Sequence, residues 1–330
     1  MAAGIGVFAL AWLFIAIDLA RFVQILEAAN PVYLTVLPLA IATEQLVRAW
    51  KWRQFLMVLK PVATFRLFGA IMAGYLANIL VPLGVSPFVR SWLIARLDEI
   101  RMSAVLATAA MDRLLDGLVY LLFVGIVLSF AVFPDPTGNL YLSFMVGAAG
   151  SFALIALLAL AVIGHRRNMQ QGRGWLLRLA GRLPGATARR VGALLYSFAD
   201  GLVWPPSRWR GLGVVGASLL IKLIAATHFF WAGLAFGVVL APIDYLFLMV
   251  FLGFLIISTR LARIPGGFVF GGIYALDLLG VGKEEALAMV VTVQVASLVT
   301  VVVIGALALW RNGLSLAHLR TRKEADDAQG

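Results

Sequence analysis

The sequence predicts an all-α polytopic membrane protein: about six full spans plus two oppositely oriented re-entrant helical hairpins, related as an inverted-topology repeat. Three observations lead there. Of 330 residues, 62% are hydrophobic and only 13% charged, against roughly 25% in an ordinary soluble domain, and the mean hydropathy is +0.97. Several stretches reach the ~20 apolar residues that carry a helix across a ~30 Å hydrocarbon layer, and the period-2 alternation of a membrane barrel is absent. Positive charge, finally, segregates into alternate connections, as the positive-inside tendency requires.

Taken in order, the first span covers residues 3–20 and is read as retained, because "MAAGIGVFALAWLFIAIDLAR" lacks the basic start and cleavage site of a secretory signal. The second, 31–50, delivers Arg48, Lys51, Arg53, Lys60 and Arg66 to the inner side. Spans at 103–133 and 139–163 flank "FPDPTGN", which has no positive residue and reads as outside. The connection 164–210 carries nine arginines against the single acid Asp200 and reads as inside. Spans at 211–235 and 286–309 follow, and the tail with Arg311, Arg320, Arg322 and Lys323 is inside again. Both termini are then cytoplasmic, in an inner or plasma cell membrane. Residues 1–310 form one transmembrane domain with repeat halves at about 31–163 and 211–309, the basic loop 164–210 between them, and 311–330 form a short tail.

Two apolar stretches remain, 67–89 and 243–275. The first leaves from the inside and must be back inside before residue 103; the second leaves from the outside and must be back outside before residue 286. Neither can be a single crossing, so each is read as a hairpin broken at a Pro/Gly turn. One break is "ILVPLGVSPF" (79–88), with Pro82 and Gly84; the other is "ARIPGGFVFGG" (262–272), with Pro265, Gly266 and Gly267. Pro82 and Pro265 are 183 positions apart, as are Gly84 and Gly267. Non-helical backbone at membrane depth survives only where protein buries it or a wet cavity meets it. Broken helices in inverted repeats are how many transporters build a midplane substrate site.

Charges inside apolar spans are costly unless they face a cavity or a partner, and are functional candidates for that reason. Lys222 lies about twelve residues into "GLGVVGASLLIKLIAATHFFWAG". Arg260 and Arg263 precede the second break on a hairpin entering from outside, against the positive-inside trend, which suits them to a phosphate. Arg90 follows the first break and reads equally well as a site residue or an interfacial one. Asp112, Arg113 and Asp116 in "MDRLLDG" interrupt the long span from 103, and their spacing lets them pair along one helix face. Arg48, Lys51 and Arg53, with Trp50 and Trp52, read as an interfacial anchor. Gly125, Gly147, Gly150, Gly211, Gly213 and Gly216 read as close-packing points between helices.

Other classes find little support. The chain has no cysteine and three scattered histidines (His165, His228, His318), so no metal-ligand spacing or redox motif is present and no cofactor is expected. The net charge of +11 lies beside hydrophobic spans, where it sets topology and meets anionic lipid; nucleic acid is not an expected partner. No His/acid constellation suggests an enzyme.

With those residues in view, the chain resembles the membrane region of lysylphosphatidylglycerol synthases, a flippase-like family that includes stand-alone integral membrane proteins. The resemblance spans nearly the whole chain and rests on "VRAWKWRQFL" (47–56), "NILVPLGVSPFVRSWLIAR" (78–96), "MDRLLDGL" (111–118) and "IPGGFVFGGIYALDLLGVGKEEALA" (264–288). It implies about eight membrane segments and movement of a lipid between leaflets, or support of a lipid or lipid-linked glycan synthase. Asp112, Arg113 and Asp116 keep the family pattern of acid, Arg and later Asp. Two departures stand out: the acids that family members carry soon after each break are here Pro87 and Gly272. The function expected is a flippase for an anionic or modified phospholipid or lipid-linked precursor, the alternative a non-transporting accessory subunit. Candidate partners are membrane phospholipids, a separately encoded lipid-modifying enzyme and a second copy of the chain.

Overall fold

The computed structural model describes residues 18–81, 84–130, 204–205, 207–262 and 266–311, with isolated positions 142 and 150; the side chains of 257–262 are outside the description. Among the described residues there are nine helices and no strand. They are α1 (Leu19–Glu27), α2 (Pro31–Leu56), α3 (Thr64–Leu80), α4 (Ser86–Leu97), α5 (Met102–Phe130), α6 (Arg208–Ala235), α7 (Pro242–Ala262), α8 (Gly267–Leu278) and α9 (Lys283–Arg311). By length and composition α2, α5, α6 and α9 can each cross a membrane, whereas α3, α8 and the apolar part of α7 are shorter. The expected spans at 3–20 and 139–163 lie outside the described residues, except for residues 18–20, at the start of α1, and the isolated positions 142 and 150.

Local chemistry explains where these helices begin. Asp18 caps α1, its Oδ1 accepting from the backbone N–H of Ala20 and Arg21 at 2.9 and 3.2 Å, which satisfies donors that no helix carbonyl can reach. Asn30 does the same before α2, accepting from Val32 N–H at 3.0 Å, with Pro31 pre-set for the first turn. In α9 Glu284 and Glu285 occupy the first turn and Arg311 the last, each complementing the helix dipole. Both hairpin breaks pass through a glycine in the left-handed region, Gly84 at φ 71° and Gly266 at φ 75°, where a Cβ would be strained.

The chain divides into two compact units. The first comprises Met1–Glu44, Leu115–Leu158 and Ser218–Ser297, and holds the hairpin of α7 and α8. Here α8 packs on α7 so closely that a Cβ on Gly271 would collide with Leu255. Arg21 donates to Glu285 at 2.9 Å and Asn30 N–H to the Ala235 carbonyl at 2.8 Å. These contacts join the start of α9 to α1 and the end of α6 to the start of α2, the ends that the charge count assigns to the outside.

The second unit comprises Gln45–Leu114, Ala159–Ala217 and Leu298–Gly330, and holds the hairpin of α3 and α4. Its two outer ends are tied together: Asp98 accepts from Arg66 at 2.5 Å and its carbonyl from Lys60 at 2.7 Å. Trp52, Leu56, Leu67, Ile71, Leu93 and Ile94 form its core with Ala49, Ala70, Ala73 and Ala109. Lipid tails are as apolar as leucine, so close approach rather than water exclusion holds such helices together. Small residues supply it: a Cβ on Gly305 would lie 2.8 Å from the Met72 carbonyl, and one on Gly69 3.1 Å from Ala308.

Two sequence expectations change here. Of the glycines read as packing points, Gly211 and Gly213 fit, facing Trp204 and Trp50 at 3.0 and 3.1 Å, but Gly125, Gly150 and Gly216 have no neighbour within 4 Å among the described residues; Gly147 lies outside the described residues. The repeat spacing also shifts. Ser86 to Gly267 and Met102 to Lys283 are each 181 positions, between helices of equal length, 12 residues for α4 and α8 and 29 for α5 and α9. The left-handed glycines of the two breaks, Gly84 and Gly266, are 182 positions apart.

Candidate functional site

Two polar clusters stand among these apolar helices, one in each unit. In the second unit α5 brings Asp112 against α2 and α4. Asp112 Oδ1 lies 2.9 Å from Lys51 Nζ, and its Oδ2 lies 3.7 Å from Arg90 Nη2. All three side chains are fully buried. Arg90 also stacks over the Trp52 ring at 4.7 Å, and Trp52 Nε1 donates to Thr108 Oγ1 at 3.1 Å, fixing the indole. None of the three Arg90 guanidinium nitrogens has a hydrogen-bond partner among the described residues. Close by, Arg113 donates to the Tyr75 hydroxyl at 3.4 Å and Arg48 Nε to Gln45 at 3.1 Å.

This corrects three expectations. Lys51 and Trp52 are not an interfacial anchor; α2 runs six residues past the expected end at 50, and both side chains are buried in the unit's core. Asp112 does not depend on its helix neighbours for neutralisation, since it faces Lys51 and Arg90 from other elements. Arg90, which the sequence left between two readings, lies inside the protein. Asp116 is buried one turn along α5, while Arg113 is exposed.

The first unit contains a cavity of about 620 Å³ lined by Glu44, Tyr120, Lys222, His228, Gln294 and Ser297, with the start of α8, Gly266 to Val269, as one wall. Its size falls within the range of small-molecule sites. Lys222 lies 5.4 Å over the Tyr120 ring, and the Tyr120 hydroxyl donates to the Val250 carbonyl at 2.5 Å. Gly253 makes room for that ring, which a Cβ there would meet at 3.0 Å. His228 Nε2 faces Glu44 Oε2 at 3.6 Å. Lys222 was legible from sequence; Glu44, one helical turn before Arg48, reads from sequence as that arginine's partner, and His228 only as one of three scattered histidines, although a titratable group midway along an apolar span is the same signal as Lys222. The side chains of Arg260 and Arg263, together with Pro82 and Pro265, lie outside the described residues. No group of His, Asp and Glu suited to a metal ion occurs among the described residues.

A family model described as the lysylphosphatidylglycerol synthase TM region matches residues 1–314. The chain belongs to this family. No curated protein and no solved structure matches the chain. Family membership and the four long apolar helices together make this an integral membrane protein of helical type. After the breaks, Gly272 has no space for a larger side chain, since a Cβ there would sit 2.6 Å from Val290, and Pro87 occupies the first turn of α4.

Proposed function

We propose that the protein moves an anionic or modified phospholipid, or a lipid-linked precursor, between the leaflets of a cell membrane. The observation that carries this reading is the cavity of about 620 Å³ beside the second break, which places Lys222 and Glu44 among apolar spans. A headgroup needs polar partners at membrane depth, while its acyl chains need none. Charge-assisted contacts to phosphate strengthen at low dielectric. The buried Arg90 guanidinium, which faces Asp112 but makes no hydrogen bond among the described residues, supports a second polar station by the first hairpin. In this reading both hairpins are re-entrant from opposite faces, the six spans and cytoplasmic termini follow the charge count, and Arg113, Asp116, Arg260 and Arg263 border the lipid's path.

Native mass spectrometry of protein purified from its own membranes tests the reading. A phospholipid retained by the wild type and lost from Lys222→Met and from the Arg260→Ala, Arg263→Ala double variant is the expected result. Retention of the same lipid by both variants would place the site elsewhere. The second reading, an accessory subunit, draws on the resemblance to a membrane region that accompanies a synthase. Co-purification of a lipid-modifying enzyme that loses activity without this chain, with no lipid exchange by the isolated protein, would favour it.

A further inference from the structure

His228 Nε2 is buried and has no hydrogen-bond partner among the described residues, yet it faces the Glu44 carboxylate at 3.6 Å. In a neutral imidazole an unprotonated Nε2 directs its lone pair at the acceptor oxygens of Glu44, an unfavourable meeting of two acceptors. The neutral Nε2–H tautomer faces Glu44 as a donor instead, and a second proton on the ring, at Nδ1, turns that contact into an ion pair that needs only a few tenths of an ångström of closure to become a charge-assisted hydrogen bond. The other groups lining the cavity are Lys222 from α6 and Tyr120 from α5, with uncharged Gln294 and Ser297 from α9 and apolar side chains from α7 and α8. Counting those charges, the cavity is neutral with His228 deprotonated and carries +1 with it protonated. A phosphodiester adds −1. Low dielectric penalises net charge, so the anion and the proton favour each other's binding.

We propose that this cavity binds the phosphodiester of a lipid headgroup together with one proton, the phosphate on Lys222 and the proton on the His228 ring, whose imidazolium then faces Glu44 through Nε2–H. The first turn of α8 contributes to the phosphate side, because its backbone N–H groups have no carbonyl of their own helix to bond. The proton comes from water as the lipid enters and returns to water as it leaves; no bond of the lipid is made or broken. The inference rests on the lipid-translocation reading above and adds coupling to it.

The test uses the full chain in vesicles of phosphatidylcholine with phosphatidylglycerol, whose phosphodiester does not titrate between pH 5.5 and 8. Binding and inter-leaflet exchange are followed across that range. Expected is a wild-type affinity for phosphatidylglycerol that weakens as pH rises, by up to about tenfold per pH unit for one linked proton. In His228→Gln and in Glu44→Gln the dependence on pH is flat, the second variant guarding against a folding defect in the first. Exchange that proceeds independently of pH in the wild type overturns the coupling and leaves lipid movement standing. Proton-linked binding without exchange overturns lipid movement and leaves the coupled site. No binding at any pH overturns the site itself. A soluble glycerophosphodiester competing as strongly as the lipid would reassign the site to a water-soluble ligand; weak competition is expected.

Discussion

Asp112 is the residue on which the second unit's polar interior turns. Its carboxylate faces both Lys51 and Arg90, all three without solvent exposure. Removing one partner of a buried pair strands the other and costs about 3–5 kcal/mol. Asp112→Asn and Lys51→Met should each lower stability by about that much in detergent unfolding. The double substitution Lys51→Met, Asp112→Leu should recover part of the loss but not all of it, because Arg90 is still left without its carboxylate. Equal and additive losses would show that the trio is not coupled. Sequence marked Asp112 as a candidate because an acid interrupts a long apolar run, and offered it pairing along its own helix. Its partners lie 61 positions upstream and 22 upstream, however, and no spacing rule reaches that far. Lys51 was misread for a physical reason: Trp and Lys at a helix end look alike whether they meet headgroups or a protein core.

At the scale of the element, the helix pairs α3–α4 and α7–α8 were legible at their Pro/Gly breaks; that each pair enters and leaves on one face is the proposal drawn from the parity count. Helix starts correspond at 181 positions and the left-handed glycines at 182, beside the 183 of the matching letters, because a few matching letters do not fix a register to the residue. Backbone conformation separates two classes of glycine here. Gly84→Ala meets no neighbour and should cost only the left-handed penalty of about 1–2 kcal/mol. Gly271→Ala, by contrast, drives a methyl into Leu255 and should force α7 and α8 apart, costing about 1–3 kcal/mol or more. Thermal unfolding of the two variants side by side checks the ordering, with Gly271→Ala the less stable. The reverse order would mean that α7 and α8 do not pack as described.

For the whole molecule, composition alone announced helices in a membrane, and the family match agrees. Orientation rests on charge counting, which a chain without cysteine lets one test cleanly. Single cysteines at Ala63 and Glu99, at the two ends of the first hairpin, should both react with an impermeant thiol reagent from the cytoplasmic side. Cysteines at Val239 and Lys283, which bracket the second, should both react from the opposite side. Labelling of one hairpin's two ends from different faces would make that hairpin a full crossing. What sequence could not supply at this scale is the cavity: Glu44, Tyr120, Lys222 and His228 come from three helices far apart in the chain, and only folding brings them to one wall.

The most direct measurement is the rate at which phosphatidylglycerol crosses between leaflets of vesicles containing the purified protein, compared with vesicles containing Lys222→Met at equal density. Acceleration by the wild type, lost or cut at least tenfold in the variant, is the expected result. Equal rates in wild-type, variant and protein-free vesicles, repeated over a panel of native lipids, would contradict the account.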